Sequence, residues 1–410
     1  MKPAPPPQPQ PRPSTPTDAT LRAPLHVLHV AGSAQWGGGE IFLQQMAEHL
    51  DRSRFRMHVL CPEEGPLKKE LTDRGVPCTT VPLSPLGDPR PLRRLSSMFR
   101  EWKADVVQSH GARANFYTRL AAGKIPNIST VHNALSDYPV HPLKKTLYLT
   151  LDNFSAGKAS AVVFVSESLR KEFLDRAPRW KEKTRVIHNG VDLTRFDPAK
   201  KPPEKLRAAL SLKPVWTLGI IGRMTPQKGH IYLLEALRRA LPLLPTFQLL
   251  IVGDGLLRPW LENTVTQYGL RPYCHFLGVR RDIPELLSLM DVLVVPSVSE
   301  GFPYVVIEGL ALQRAVIATR VNGIPEILRA DRDGYLVPPR QPEKIEEALY
   351  AILKNPAEAK ARGENGARRV REEFDARKAI GRWEALYLEL TRGRENERPP
   401  ANTEISDIKY

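Results

Sequence analysis

The 410-residue chain has little cysteine, no long apolar run and no spaced glycine fingerprint, and each absence excludes something. Cys61, Cys78 and Cys274 are too few and too scattered for a disulfide framework or a zinc site, and they suggest a reducing cytosol. No apolar stretch approaches the roughly 20 residues that span a bilayer. Residues 1–24 are rich in Pro, Gln, Ser and Thr but lack the apolar centre of a signal peptide, so they read as a disordered leader. The polar stretch 392–410 reads as a disordered tail. No segment resembles a nucleic-acid-binding module, which argues against a nucleic-acid partner.

What remains is ordinary for a globular protein long enough for two domains: 41% hydrophobic and 26% charged residues, with each half long enough for its own core. The net charge is +15, and residues 1–200 carry 29 Lys and Arg against 19 Asp and Glu. That excess favours an anionic partner, such as a membrane surface or a phosphorylated acceptor.

Apolar runs alternate with helical stretches from LHVLHVAG (25–32) through FRMHVLCP, ADVVQSHG, NISTVHNAL and SAVVFVSESLRKEFL, which predicts a parallel sheet with crossover helices. The pattern breaks at RVIHNGVDLTRFDP, where Asn189–Gly190 and Pro198 mark a turn and a linker, then resumes at WTLGIIGRMTPQKGH. Two doubly wound domains, 25–200 and 201–375, follow from this. A last helix, 376–390, carries Trp383, Leu386 and Leu390 on one stripe.

The densest chemistry lies in DVLVVPSVSEGFPYVVIEGLAL (291–312), an apolar strand, a small polar loop and a helix opened by Pro303. Gly301, Phe302 and Tyr304 surround that helix start, whose free amides suit an anion. Glu308 sits on an otherwise apolar, hence buried, helix, and needs a partner or an opening onto a cleft. A capping Glu300 and a core Glu308 tied to an arginine would explain the spacing equally. A glycosidase pair fits poorly, since such carboxylates stand roughly 5–9.5 Å apart and eight helical residues rise about 12 Å.

Elsewhere, strand ends bring other candidates to a cleft, because ligands of open parallel sheets bind at the carboxyl ends of strands. Gly38 and Gly39 of SAQWGGGE lie in a turn where backbone can approach a phosphate, or merely reverse the chain. His110 and His132 each follow a strand, and a packed histidine is the plain alternative for His110. Arg223 and Lys228 frame a loop before a helix, as a diphosphate would require. Residues 134–158, with Tyr138, Lys144 and Lys145, form a basic aromatic segment that reads as acceptor recognition, a membrane contact or a solvated helix face. Asp331 and Asp333 precede Gly334 in a turn, and no metal is assigned to them.

SEGFPYVVIEGLAL resembles the E-x7-E signature of glycosyltransferase family 4, and GRMTPQKG, TVHN, the glycine-rich turn and NGVD…F are similar to that family's other segments, in its order. The resemblance implies retaining enzymes of two Rossmann-like domains facing a central cleft (GT-B), with the C-terminal helix crossing back to the first domain. It implies that Arg223 and Lys228 bind the phosphates of a UDP- or GDP-linked sugar and that Glu308 holds the ribose. Glu300 and His132 would lie at the transferred sugar. A glycan or lipid-linked acceptor is expected from the basic first half, and a cytoplasmic place, at the inner membrane face, from that charge and the few cysteines; no cofactor is expected. A silent nucleotide-sugar sensor or a sugar-nucleotide epimerase would share the architecture.

Overall fold

A computed structural model describes residues 23–35, 37–83, 88–135, 141–200 and 204–392. The expected leader up to residue 22, the tail from 393 and Tyr138 therefore lie outside the described residues.

The first sheet contains β1 (Leu25–Ala31), β2 (Phe55–Cys61), β3 (Cys78–Thr80), β4 (Val106–His110), β5 (Asn127–Val131), β6 (Ala161–Phe164) and β7 (Thr184–Val186). They pair in parallel in the order β3-β2-β1-β4-β5-β6-β7. The second sheet contains β8 (Trp216–Ile221), β9 (Phe247–Val252), β10 (Cys274–Gly278), β11 (Val292–Val295), β12 (Ala315–Thr319) and β13 (Tyr335–Val337). Its order is β10-β9-β8-β11-β12-β13, again parallel. The central strands are buried almost throughout because helices cover both faces, leaving no solvent face to alternate with. The chain passes from one sheet to the other between β7 and β8.

In both sheets the strand order reverses once, between β1 and β4 and between β8 and β11. A crevice opens outside the carboxyl ends of the strands at such a point. The elements that follow β1, β4, β5, β8 and β11 are the segments singled out above.

Helix Pro89–Glu101 buries Leu95 and Phe99 against the first sheet, so its apolar stripe is packing surface. The last helix, Ala376–Thr391, returns to the first domain. Its Ile380, Trp383, Leu386 and Tyr387 are buried with Leu25, Val27, Phe42 and Phe55. Asp375 caps its start by accepting from the Arg377 amide, and Val191 exchanges backbone bonds of 2.8 and 3.0 Å with Phe374 and Ala376. Burying Trp383 contributes on the order of 3 kcal/mol, enough to hold the crossing in place.

Candidate active site

Between the sheets lies a cleft of about 470 Å³, walled by the ends of β1, β4 and β5 on one side and reached by Arg223 from the other. Gly38, Gly39, His110 and His132 line it. Helix Gly38–His49 begins there with Gly37 as an N-cap whose side chain can satisfy no amide, so the first N–H groups face the cleft unpaired by a cap. The Glu40 carboxylate folds back over this end, its Oε2 standing 2.9 Å from where a Cβ on Gly37 would be. Burial pushes the Glu40 carboxyl up to about 7, against its own backbone amide and the Arg223 guanidinium.

On the second domain, β8 ends at Ile221 and the chain turns through Arg223 to the helix His230–Ala240. Gly229 makes the turn in a left-handed conformation (φ +66), and a Cβ there would meet the Pro296 carbonyl oxygen at 2.0 Å. This contact sets the loop directly against the end of β11. Lys228 Nζ consequently donates to Glu300 Oε1 at 2.6 Å, and Ser297 Oγ to the same oxygen at 2.7 Å. The Glu300 amide donates to Asn322 Oδ1 at 3.2 Å. Glu300 is buried and Lys228 only partly so, which leaves the ammonium's remaining N–H bonds available to an entering anion.

Helix Tyr304–Ala311 starts one residue later than expected, with Pro303 as its N-cap. The helix is buried nearly all round, and Glu308 with it. Burial pushes the Glu308 carboxyl up to about 7, with Arg195 opposing the shift. The Tyr304 hydroxyl is buried without a partner, and burial, Glu308 and Glu40 together hold its pKa well above the ordinary 10. Glu308 and Tyr304 of the second domain thus share a field with Glu40 of the first.

The two domains touch at this point. A Cβ on Gly301 would lie 1.7 Å from the His132 carbonyl oxygen, so only glycine permits the approach. Beside it Asn189 Nδ2 donates to the Phe302 carbonyl at 3.0 Å, and Glu326 accepts from the Glu167 and Ser168 amides at 2.8 Å and bonds His188 Nε2 at 2.9 Å. Burial would raise the Glu326 carboxyl, but His188 and those amides outweigh it and hold it below the usual range.

Phe302, His110 and the pair Lys144 and Lys145 have surroundings of their own. The Phe302 ring stacks on His188 at 4.8 Å and packs edge-on against Phe374, as part of the joint between the domains, while its backbone stays at the helix start. His110 has no ring nitrogen left for an acceptor, because both bond other histidines, His29 and His132, at 3.1 Å. Lys144 and Lys145 lie on helix Pro142–Ser155, but Tyr148, Leu151 and Asp152 are the residues of that helix that line the cleft. Sequence reading also missed Glu40, although it directly follows the glycines, and Arg195, Glu326 and His29, for which local pattern offers no signal.

For a metal, Glu48, His49 and Asp192 could bring one atom each within 4.8 Å of one another, but Glu48 already pairs with Arg74 at 3.1 Å. Asp333 is committed to Arg329 at 2.7 Å and Asp331 to Arg362 at 3.1 Å.

Known proteins match this arrangement along the chain. The profile described as Glycosyltransferase Family 4 matches residues 36–195, and that described as Glycosyl transferases group 1 matches 216–355. The chain belongs to the family 4 glycosyltransferases.

An Escherichia coli relative, UDP-Gal:alpha-D-GlcNAc-diphosphoundecaprenol alpha-1,3-galactosyltransferase, is 26% identical over 89% of this chain and 97% of its own length. The alpha-maltose-1-phosphate synthase of Mycolicibacterium smegmatis is 28% identical, over 66% of this chain and 75% of its own. Among solved structures, Anabaena Alr3699/HepE in complex with UDP and glucose superposes with a TM-score of 0.79 at 22% identity, covering 89% of this chain and 100% of that one. The two-domain GT-B fold expected for this glycosyltransferase is the one observed.

Proposed function

We propose that the enzyme transfers a hexosyl group, with retention at the anomeric carbon, from a nucleotide diphosphate sugar to a hydroxyl of a lipid-diphosphate-linked saccharide in surface-glycan synthesis. The observation that carries this reading is the cluster of Arg223, Lys228 and Glu300 at the ends of β8 and β11, directly across the Gly301 contact from His132.

In this reading Arg223 and Lys228 hold the donor diphosphate and stabilise the charge that develops on it as the sugar departs. Lys228 reaches the phosphate without leaving Glu300, so the carboxylate fixes the ammonium's position and stands at the transferred sugar. Glu308 accepts hydrogen bonds from the ribose hydroxyls. The glycine-rich turn offers amides from the other side. Fixed cations and amides stand where a metal would otherwise be needed, and no cofactor is invoked. UDP is the nucleotide of first choice, since the E. coli relative uses UDP-Gal and the Anabaena structure holds UDP; GDP is the other candidate.

The lipid-linked acceptor is supported by helix Pro142–Ser155. One side of it lines the cleft, while Leu143, Leu147 and Phe154 are 76%, 53% and 70% exposed beside Lys144. Apolar and basic residues together suit an anionic membrane surface, with the enzyme peripheral at its inner face. No helix among the described residues is long and apolar enough to cross a membrane.

Calorimetry with UDP tests the site. Lys228→Ala removes a charge-assisted contact and leaves Glu300 buried and unpaired, and affinity is expected to fall roughly 100-fold. Unchanged affinity would overturn the assignment of the diphosphate to this cluster.

A further inference from the structure

An unbroken chain of three imidazoles crosses the top of the first sheet. His29 on β1, His110 at the end of β4 and His132 just past β5 stand on adjacent strands, with Ala31 opposite His110 and His110 opposite Thr130 in register. His29 Nδ1 lies 3.1 Å from His110 Nε2, and His110 Nδ1 lies 3.1 Å from His132 Nε2. The rings are near parallel, at 13° and 27°. Phe42 packs against both His110 and His132 and is itself held by Trp383 of the returning helix. The two outer nitrogens, His29 Nε2 and His132 Nδ1, are buried and have no partner among the described residues. Burial keeps all three rings neutral near pH 7: His29 is pushed down to about 3, His132 to about 4, and His110 well below its ordinary value.

A neutral imidazole carries one N–H, and each link in the chain needs one hydrogen between its nitrogens. The hydrogen of His110 fills one link, so its neighbour must fill the other, and only two arrangements satisfy both. In the first, His29 Nδ1–H donates to His110, His110 Nδ1–H donates to His132, and the remaining hydrogen sits on His132 Nδ1. In the second every bond is reversed and the remaining hydrogen sits on His29 Nε2. The surroundings of the two ends decide between them. His29 is fully buried in the sheet, where an N–H without an acceptor is worse tolerated than a bare lone pair. His132 lines the cleft and His29 does not, so although His132 Nδ1 is covered in the ligand-free protein, it is at the end of the chain nearer an arriving ligand, which can accept.

We propose that His29, acting through His110, is a positioning residue that locks His132 in the Nδ1–H form, so that the cleft end of the chain donates a hydrogen bond to an oxygen of the transferred sugar. This rests on the reading that a nucleotide sugar occupies the cleft beside His132. The consequence is that a residue buried behind the site sets the polarity of a residue within it, without touching substrate.

Nitrogen-15 spectra of the full-length protein with labelled histidine test the lock directly, because protonated and bare ring nitrogens resonate far apart. Expected are a protonated Nδ1 and a bare Nε2 on His132; the opposite pattern overturns the proposal. Turnover gives the second readout, as UDP released from UDP-galactose or UDP-glucose. His29→Leu removes the donor to His110 and should lower kcat about tenfold while UDP affinity stays unchanged. His29→Asn places an amide N–H where Nδ1 was and should restore kcat to within about threefold of the original. An Asn variant as slow as the Leu variant, or a Leu variant as fast as the parent, also overturns it. If His29→Leu does not fold, the spectrum of the parent protein decides alone. If UDP fails to bind the parent protein, the nucleotide-sugar reading falls, while the spectrum still reports on the lock.

Discussion

At the ends of β1, β4 and β5 the cleft meets glycine amides and imidazoles that burial keeps neutral, whereas from the second domain it is lined by Arg223, with Lys228 and Glu300 paired in the loops at the ends of β8 and β11 and Glu308 on the helix that follows. The two sheets share a topology rule and a switch point, so the difference is in what their loops carry. The charged edge suits a ligand that brings its own charge, a diphosphate. The neutral edge suits hydroxyl groups, which are selected by donor and acceptor placement. Glu40 is the exception, a carboxyl on the neutral side that faces Arg223 across the gap.

The comparison has force only if the two edges meet in a fixed geometry, and Gly301 is where they do. Gly301→Ala puts a methyl group against the His132 carbonyl, which lies 1.7 Å from the position it would take. The domains must then part by a fraction of an ångström or more. Transfer is expected to fall about 100-fold in kcat, because misplacement on that scale removes alignment between reacting groups. UDP, held on one edge, should bind with nearly unchanged affinity. If UDP affinity falls as far as kcat does, the edges are not separable in the way proposed.

Proton linkage sharpens the same contrast. Burial raises both Glu308 and Glu40 from about 4.5 to about 7, so each is protonated in part at neutral pH. Unfolded, both ionise first, so the ligand-free protein should lose stability as pH rises from about 4.5 through 7. On UDP binding the two should respond with opposite sign. Ribose hydroxyls donating to Glu308 favour its ionised form and release a proton, whereas a diphosphate near Glu40 favours the neutral acid and takes one up. Calorimetry in buffers of different ionisation heat separates them: Glu308→Gln should leave net uptake, Glu40→Gln net release. Glu308→Gln should also weaken UDP about tenfold at pH 8 and scarcely at all at pH 5.5. Equal proton release from both variants would place the ribose away from Glu308.

Much of this was legible in the chain. Strand ends, crossover helices and the boundary between the sheets follow from apolar runs and turn residues, since each needs only local pattern. The returning helix announced itself by Trp383 and Leu386, though where that stripe packs is a tertiary fact. Residues of the candidate site stood out when they closed a strand or opened a helix, as Gly39, Arg223, Lys228 and Glu300 do, or when a carboxylate interrupted an apolar helix, as Glu308 does. What pattern could not supply is adjacency. Glu300 and Lys228 are 72 positions apart, and their contact depends on Gly229 packing against Pro296. His29 sits inside an apolar run and becomes chemically significant only because β4 lies beside β1, 81 positions away at His110. The stacking of the Phe302 ring shows the same limit: its partner His188 comes from the other domain.

The smallest expected effect concerns the outer surface of the neutral domain, where the comparison predicts that charge serves the membrane and not the donor. Lys144 and Lys145 stand on helix Pro142–Ser155, outside the cleft lining, next to exposed Leu143 and Leu147. A basic residue near an anionic surface contributes about 1 kcal/mol, so Lys144→Glu with Lys145→Glu should reduce flotation with phosphatidylglycerol vesicles several-fold at low salt. UDP affinity should not move, since neither lysine lines the cleft. Leu143→Ser with Leu147→Ser should lower the part of flotation that survives high salt, because apolar insertion is not screened. If the parent protein does not float at any salt, or if both pairs float as it does, this helix is not a membrane contact and the exposed apolar residues require another partner.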